Sequence, residues 1–277
     1  MSSKPLTAHD PIAVFDSGVG GLTVVHQLHS LLPHEQIIYF GDSLRAPYGG
    51  RSTEVIKEFS CEITRFLLTH SPKIIVIACN TVSAVALDSV QKVAGDIPVI
   101  GVVAPGCEGA IQQGVKRVGV IGTRATIEAS AYQRGIAQRK SSLEVFEKAC
   151  PLLAPLVEEG FAQSEVAVEV LQVYLKDLLA TGIDSLVLGC THYPLLLEAL
   201  SKVVGDDITI IDSAYWTALE IRKELESRSL CADRKDKDDI YYTSDLTDQF
   251  TSLATTFLQE RIGTFKSVTH NPMTIQE

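Results

Sequence analysis

Short runs rich in Val and Ile alternate along this chain with longer segments in which apolar residues return every third or fourth position. Continuous apolar runs of that length read as strands buried on both faces of a parallel sheet. They predict strands over 12–16, 36–40, 73–79, 98–102, 117–122, 143–148, 184–190 and 208–212. The periodic segments predict helices over 20–32, 52–69, 82–93, 164–181 and 213–227, where Ala, Leu, Glu and Lys dominate. Alternation of this kind calls for parallel sheets joined by right-handed crossovers.

The pattern also repeats. Ile12 to Gly18 is similar to Val118 to Arg124, and two further segments, 77–81 and 188–192, each close an apolar run with a cysteine and open what reads as a helix. The cysteines, Cys79 and Cys190, are 111 positions apart, close to the 106 that separate the first pair of segments. The fold expected is therefore α/β, with two pseudosymmetric domains, each a mostly parallel sheet flanked by helices. Ligands bind outside the carboxyl ends of such strands, so two facing halves would bring both cysteines to one cleft. The helix from 213 and a strand at 239–243 are expected to return to the first domain, giving 1–100 plus 213–277 as one unit and 101–212 as the other. The stretch 231–239, with alternating Asp and Lys, reads as a solvated loop.

A buried cysteine at a strand end is most often inert packing. At the mouth of a helix, however, backbone N–H groups and the macrodipole favour an anion and make a thiolate accessible. The recurrence of the same placement points to a paired acid and base. Zinc is the rival reading, because Cys190 and His192 are close in sequence, but no second local ligand pair has the usual spacing and no metal is expected. The turn 16–21, Asp-Ser-Gly-Val-Gly-Gly, lets the backbone approach a carboxylate or phosphate, while Thr23 stands where a dinucleotide fingerprint would need its third glycine. Asp16 is either an N-cap or a group that orients a substrate ammonium or moves a proton. The loop 41–50 and the segment 151–160, with Glu158 and Glu159, are binding loops or plain turns. His192 is either a satisfied structural histidine or the proton partner of Cys190.

Composition narrows the class. The 277 residues are 45% hydrophobic, enough for a substantial core, and carry a net charge of −10, which offers no basic field to nucleic acid or an anionic membrane. The six cysteines form no CxxC pair, no apolar run approaches the length of a membrane span, and the opening Met-Ser-Ser-Lys-Pro has no apolar signal region. A soluble, reduced, cytoplasmic protein is expected.

Segments 14–23, 41–49, 78–81, 121–126, 155–160 and 189–195, in that order along nearly the whole chain, resemble the patterns of the glutamate racemase family. The resemblance implies two pseudosymmetric α/β domains with the active site between them, and no cofactor. It implies that Cys79 and Cys190 are the proton-transfer bases, acting on D- and L-glutamate respectively, with Asp16, Glu158 and His192 assisting. Substrate contacts would come from Asp16, Ser17, Tyr48, Gly49, Asn80, Thr81, Thr191 and His192. The implied partner is the small-molecule substrate glutamate, the implied role is supplying D-glutamate for peptidoglycan precursors, and a homodimer is the expected assembly. Aspartate racemisation on the same fold is the first alternative. A non-catalytic amino-acid-binding protein is the second, and the intact cysteine pair speaks against it. The chain departs from the family's usual residues at Ser43, Ala104 and Tyr215-Trp216.

Overall fold

The computed structural model describes residues 5–259, 264–271 and 274–276. Eight strands appear where the apolar runs place them: β1 (Ile12–Asp16), β2 (Ile37–Gly41), β3 (Ile74–Ile77), β4 (Val99–Gly101), β5 (Arg117–Gly122), β6 (Glu144–Ala149), β7 (Ser185–Gly189) and β8 (Thr209–Asp212). Two more, β9 (Ile240–Thr243) and β10 (Phe265–Ser267), extend the first sheet, and β11 (Thr269–Asn271) and β12 (Thr274–Gln276) pair antiparallel in a separate two-stranded sheet. Every residue of β1, β2, β3 and β7 is buried, which is why these strands read as unbroken apolar runs rather than as alternating ones.

The two sheets repeat one plan. The six-stranded sheet runs β10-β9-β2-β1-β3-β4 and the four-stranded sheet β6-β5-β7-β8, so without β9 and β10 each half has its second, first, third and fourth strand in that order. All pairings in both are parallel. Register aligns Phe15 with Phe40 and Ile77 in one half, and Ile121 with Lys148 and Leu188 in the other. Hence Cys79 and Cys190 leave equivalent central strands at equivalent ends.

The first half carries helices α1 (Leu22–Leu31), α2 (Thr53–Leu68), α3 (Asn80–Val85) and α4 (Leu87–Ala94), and α5 (Val103–Gln112) opens the second. Then come α6 (Arg124–Glu128), α7 (Ala131–Arg139), α8 (Leu153–Glu158), α9 (Glu165–Ala180), α10 (Leu197–Val204), α11 (Ser213–Ser227) and α12 (Asp248–Leu258). Side-chain caps mark several starts: Ser52 on α2, Thr123 on α6, Ser164 on α9, Asp212 on α11 and Thr247 on α12 each accept from a backbone N–H of the first turn. Among the described residues no helix is long and apolar enough to cross a membrane.

Several local expectations change. The single helix predicted over 82–93 is two, broken at Ala86, which leaves helical geometry at φ −125°, ψ 0°. After the break α4 packs on α2, while α3 packs both on α2 and on α6 of the other half, and apolar periodicity running through the joint hides it. Cys190 opens a turn, with Tyr193 N–H bonded to Cys190 C=O at 3.1 Å, and then a short 3₁₀ segment over Tyr193–Leu196 containing Pro194, before α10 begins. Helix α11 packs on α1 and on α5, so it touches both sides of the proposed division. The strand near 239–243 does join the first sheet, beside β2. Asp239 itself stays out of it and accepts from Ile37 N–H at 2.8 Å.

Lys73, expected in the third strand, instead ends a buried polar knot. Its ammonium donates to Glu35 and to the carbonyls of Ala8 and, at 2.8 Å, Leu230, while Glu35 Oε1 accepts from Ala232 N–H at 2.9 Å. Lys73 and Glu35 are 0% and 2% exposed, and removing one partner of such a pair leaves the other charged and unpaired. Lys73→Met should therefore lower the unfolding free energy by about 3–5 kcal/mol, read as a shift in urea midpoint. A midpoint unchanged from wild type would mean the knot contributes nothing net.

Candidate active site

The turn from β1 into α1 carries Asp16, which is 1% exposed. Its Oδ2 accepts from Gly18 N–H at 2.8 Å and from the Ser17 hydroxyl at 3.5 Å, while Oδ1 is buried with no protein partner among the described residues. Burial raises the Asp16 carboxyl above its ordinary value against the opposing pull of His192. Packing is tight because residues 20 and 21 lack side chains. A Cβ on Gly21 would lie 2.6 Å from the Asp16 Cβ, and one on Gly20 would lie 2.2 Å from Thr191 Oγ1 and 2.7 Å from the His192 ring.

Cys79 is the N-cap residue of α3 and its thiol donates to Ser17 Oγ at 3.5 Å. Burial pushes the thiol up to about 12, Asp16 adds to the rise, and Ser17 and a backbone amide oppose it. Cys190 also acts on it, so the two sulfurs share one field.

On the other side, Cys190 Sγ lies 3.9 Å from His192 Nδ1, and His192 Nε2 is 2.8 Å from Glu158 Oε1 at the end of α8. Burial opposes a charged imidazole, yet the bonds to Cys190 and Glu158 outweigh it and push His192 up to about 10. The ring also meets Phe257 of α12 edge to face, 4.9 Å between centroids. The Thr191 carbonyl accepts from Thr23 Oγ1 at 3.3 Å, a further tie across the halves.

Asn80 and Thr81, the first residues of α3, also reach the second half. Asn80 Oδ1 accepts from Tyr132 at 2.6 Å, and Thr81 Oγ1 is 2.9 Å from Thr123 Oγ1. Gly49 lies against Thr123 as well, where a Cβ would approach within 3.0 Å. Tyr48 is different: its hydroxyl donates to Asp42, in a buried knot with Arg45 and Glu62, so it is committed within the loop. The structure thus brings most of these residues together in two clusters, Asp16-Ser17-Cys79 and Glu158-Cys190-Thr191-His192, tied to each other through Gly20 and Thr23, while Asn80 and Thr81 reach Tyr132 and Thr123. The sequence reading omits Thr123, Tyr132 and Phe257. Thr123 has a local sign in its Thr-x-x-Thr cap, whereas Tyr132 and Phe257 arrive from distant helices and have none. Among the described residues no group of three or more His, Cys, Asp or Glu is placed to hold a metal.

A family model described as Asp/Glu/Hydantoin racemase matches residues 22–220. The chain is 49% identical over 231 residues to the glutamate racemase of Chlorobaculum tepidum, covering 83% of this chain and 85% of that one. Among solved structures, the glutamate racemase of Francisella tularensis in complex with D-glutamate matches with a TM-score of 0.90 at 38% identity, over 95% of this chain and 98% of that one. Glutamate racemase isoform RacE1 of Bacillus anthracis matches with a TM-score of 0.90 at 39% identity, over 94% and 98%.

The raised His192 value carries a pH signature. A folded pKa of about 10 against the ordinary 6.5 means stabilisation that is fully present below about 6.5 and lost as pH rises through about 10. Histidine-selective NMR should show this ring titrating near 10, and Glu158→Gln should move the midpoint down by removing the carboxylate. A ring titrating near 6.5 in both proteins would contradict the assigned hydrogen bonds.

Proposed function

The chain belongs to the Asp/Glu/hydantoin racemase family, and from that premise we propose that it is a cofactor-independent glutamate racemase working through two thiols. The observation that carries the reading is the equivalent exit of Cys79 and Cys190 from β3 and β7 of two like-ordered sheets, each beside its own polar partners. Inverting an α-carbon requires a base on one face and an acid on the other. Two separate sulfurs, on loops from opposite halves, answer that requirement.

In the direction starting from L-glutamate, the Cys190 thiolate takes the α-proton and the Cys79 thiol delivers its own to the opposite face. The elevated Cys79 value favours this starting state, since near neutral pH that sulfur holds its proton. The return direction uses the same groups with roles exchanged. His192, 3.9 Å from Cys190 Sγ, is the proton partner on that side, oriented by Glu158, and Asp16 serves the Cys79 side. Because a thiol titrates far below an α-proton, the developing enolate-like charge must be stabilised by fixed donors. Asn80, Thr81, Thr191 and nearby backbone N–H groups supply them, and Asp16 Oδ1, buried without a protein partner, suits the substrate ammonium. Ser17, Tyr48 and Gly49 complete the pocket wall.

We assign residues 1–100 with 213–277 to one domain and 101–212 to the other, with the substrate between them. Both sulfurs must stay reduced to exchange protons, which fits a cytoplasmic enzyme supplying D-glutamate for peptidoglycan precursors, and we expect a homodimer. Glutamate is favoured over aspartate because the relatives named above are glutamate racemases.

Circular dichroism of the purified protein, with no cofactor added, should decay to zero from either L- or D-glutamate and stay constant with L-aspartate. Decay with aspartate alone would transfer the assignment to an aspartate racemase, and no decay with either would leave a binding protein. Cys79→Ala and Cys190→Ala should each abolish racemisation in both directions. Either variant racemising at the wild-type rate would end the two-thiol reading.

A further inference from the structure

Tyr132 is fully buried on α7, and its hydroxyl donates to Asn80 Oδ1 at 2.6 Å. It comes from the second half and holds a residue of the first. The ring has little freedom: a Cβ on Gly106 would lie 2.9 Å from its Cε1 and 3.2 Å from its hydroxyl, and one on Gly189 would lie 3.2 Å from its Cε2. Gly189 immediately precedes Cys190 and Asn80 immediately follows Cys79. One ring therefore touches the neighbours of both thiols.

The Asn80 amide is 2% exposed, and its Nδ2 has no hydrogen-bond partner among the described residues. A buried donor left unmade is costly, so Nδ2 is free to serve an acceptor brought in from outside the protein. A phenol is a better donor than acceptor, because its oxygen lone pair is drawn into the ring, and an amide carbonyl is the better acceptor. That chemistry turns Oδ1 to the tyrosine and leaves Nδ2 as the free end. If the amide were reversed, Oδ1 would meet an anionic substrate with an acceptor.

We propose that Tyr132 is a positioning residue that fixes the Asn80 side-chain amide so that Nδ2 donates to a carboxylate of the substrate, an inference that rests on the racemase reading. Because that carboxylate belongs to both enantiomers, a loss at Tyr132 falls equally on both directions. A loss on the His192 side does not have to.

The test is a double-mutant cycle read by single-turnover deuterium exchange from L- and D-glutamate, with melting temperature followed in parallel. Tyr132→Phe should reduce exchange about 10- to 100-fold, the range for a hydrogen bond to a charged group, by the same factor from each enantiomer and with the protein still folded. In an Asn80→Ala background the same substitution should cost less than about twofold, because the residue through which it acts is gone. Gly106→Ala, which presses on the ring from α5 with a better helix former, provides a second route and should show the same loss and the same dependence on Asn80. Wild-type exchange in Tyr132→Phe, or a loss that persists undiminished in Asn80→Ala, would overturn the proposal while the racemase reading stands. A wild-type protein inactive with both enantiomers would overturn the racemase reading first.

Discussion

The site depends on one close approach, the passage of the Gly20 backbone against Thr191 and His192. There is no room at that point for even a methyl group, since a Cβ would sit 2.2 Å from Thr191 Oγ1. The glycine turn after β1 is thus a contact surface between the halves as well as a tight entry to α1. Thr23, three residues on, bonds the carbonyls of Gly20 and Thr191 with one hydroxyl, at 2.9 and 3.3 Å. With that seam closed, Asp16 lies in the field of His192 and Cys79 in the field of Cys190, although each pair is divided between two sheets.

Burial then sets the protonation states. It raises Asp16 and Cys79 alike, because each becomes an anion when it ionises and loses water on doing so. It acts oppositely on His192, where it would lower the value, and there two hydrogen bonds overcome it. Burial thus favours the protonated form of the Cys79 sulfur, and the bonds to Cys190 and Glu158 favour the charged form of the His192 ring. Water entering would weaken both effects, since screening reduces every electrostatic interaction in the pocket. Residues that keep the seam tight are consequently electrostatic residues, even where, like Gly20, they carry no charge.

The strands were legible because β1, β2, β3 and β7 are buried on both faces and so leave continuous apolar runs. The repeat was legible because the same strand plan occurs twice. What local pattern could not reveal were the places where tertiary contact overrides it: the break at Ala86, where α3 adds a contact with α6 of the other half that α4 does not share, and the turn after Cys190 in place of an immediate helix. Tyr132 and Phe257 were out of reach for the same reason. Each reads as ordinary core in its own helix, and its contact with Asn80 or His192 spans 52 residues in one case and arises from a helix of the C-terminal segment in the other. The commitment of the Tyr48 hydroxyl to Asp42 was equally out of reach, since a binding-type loop and a self-bonded one read alike in sequence.

The symmetry between the halves is one of backbone and not of chemistry. Asp16 ends β1, but the matching end of β5 is Gly122, where a Cβ would come within 3.1 Å of the Gly189 carbonyl. The second half is therefore crowded at that point and has a glycine where the first has an aspartate. Its carboxylate comes instead from Glu158 on α8 and reaches the sulfur only through His192. One thiol thus has a carboxylate beside it and a hydroxyl at 3.5 Å, while the other has an imidazole held in a carboxylate's grip. The repeated strand plan places the two sulfurs at equivalent strand ends, and the side chains around them differ. A reaction run in both directions through such a site passes through two chemically unlike half-sites, so its two proton transfers need not have equal barriers even though the two enantiomers are equal in free energy.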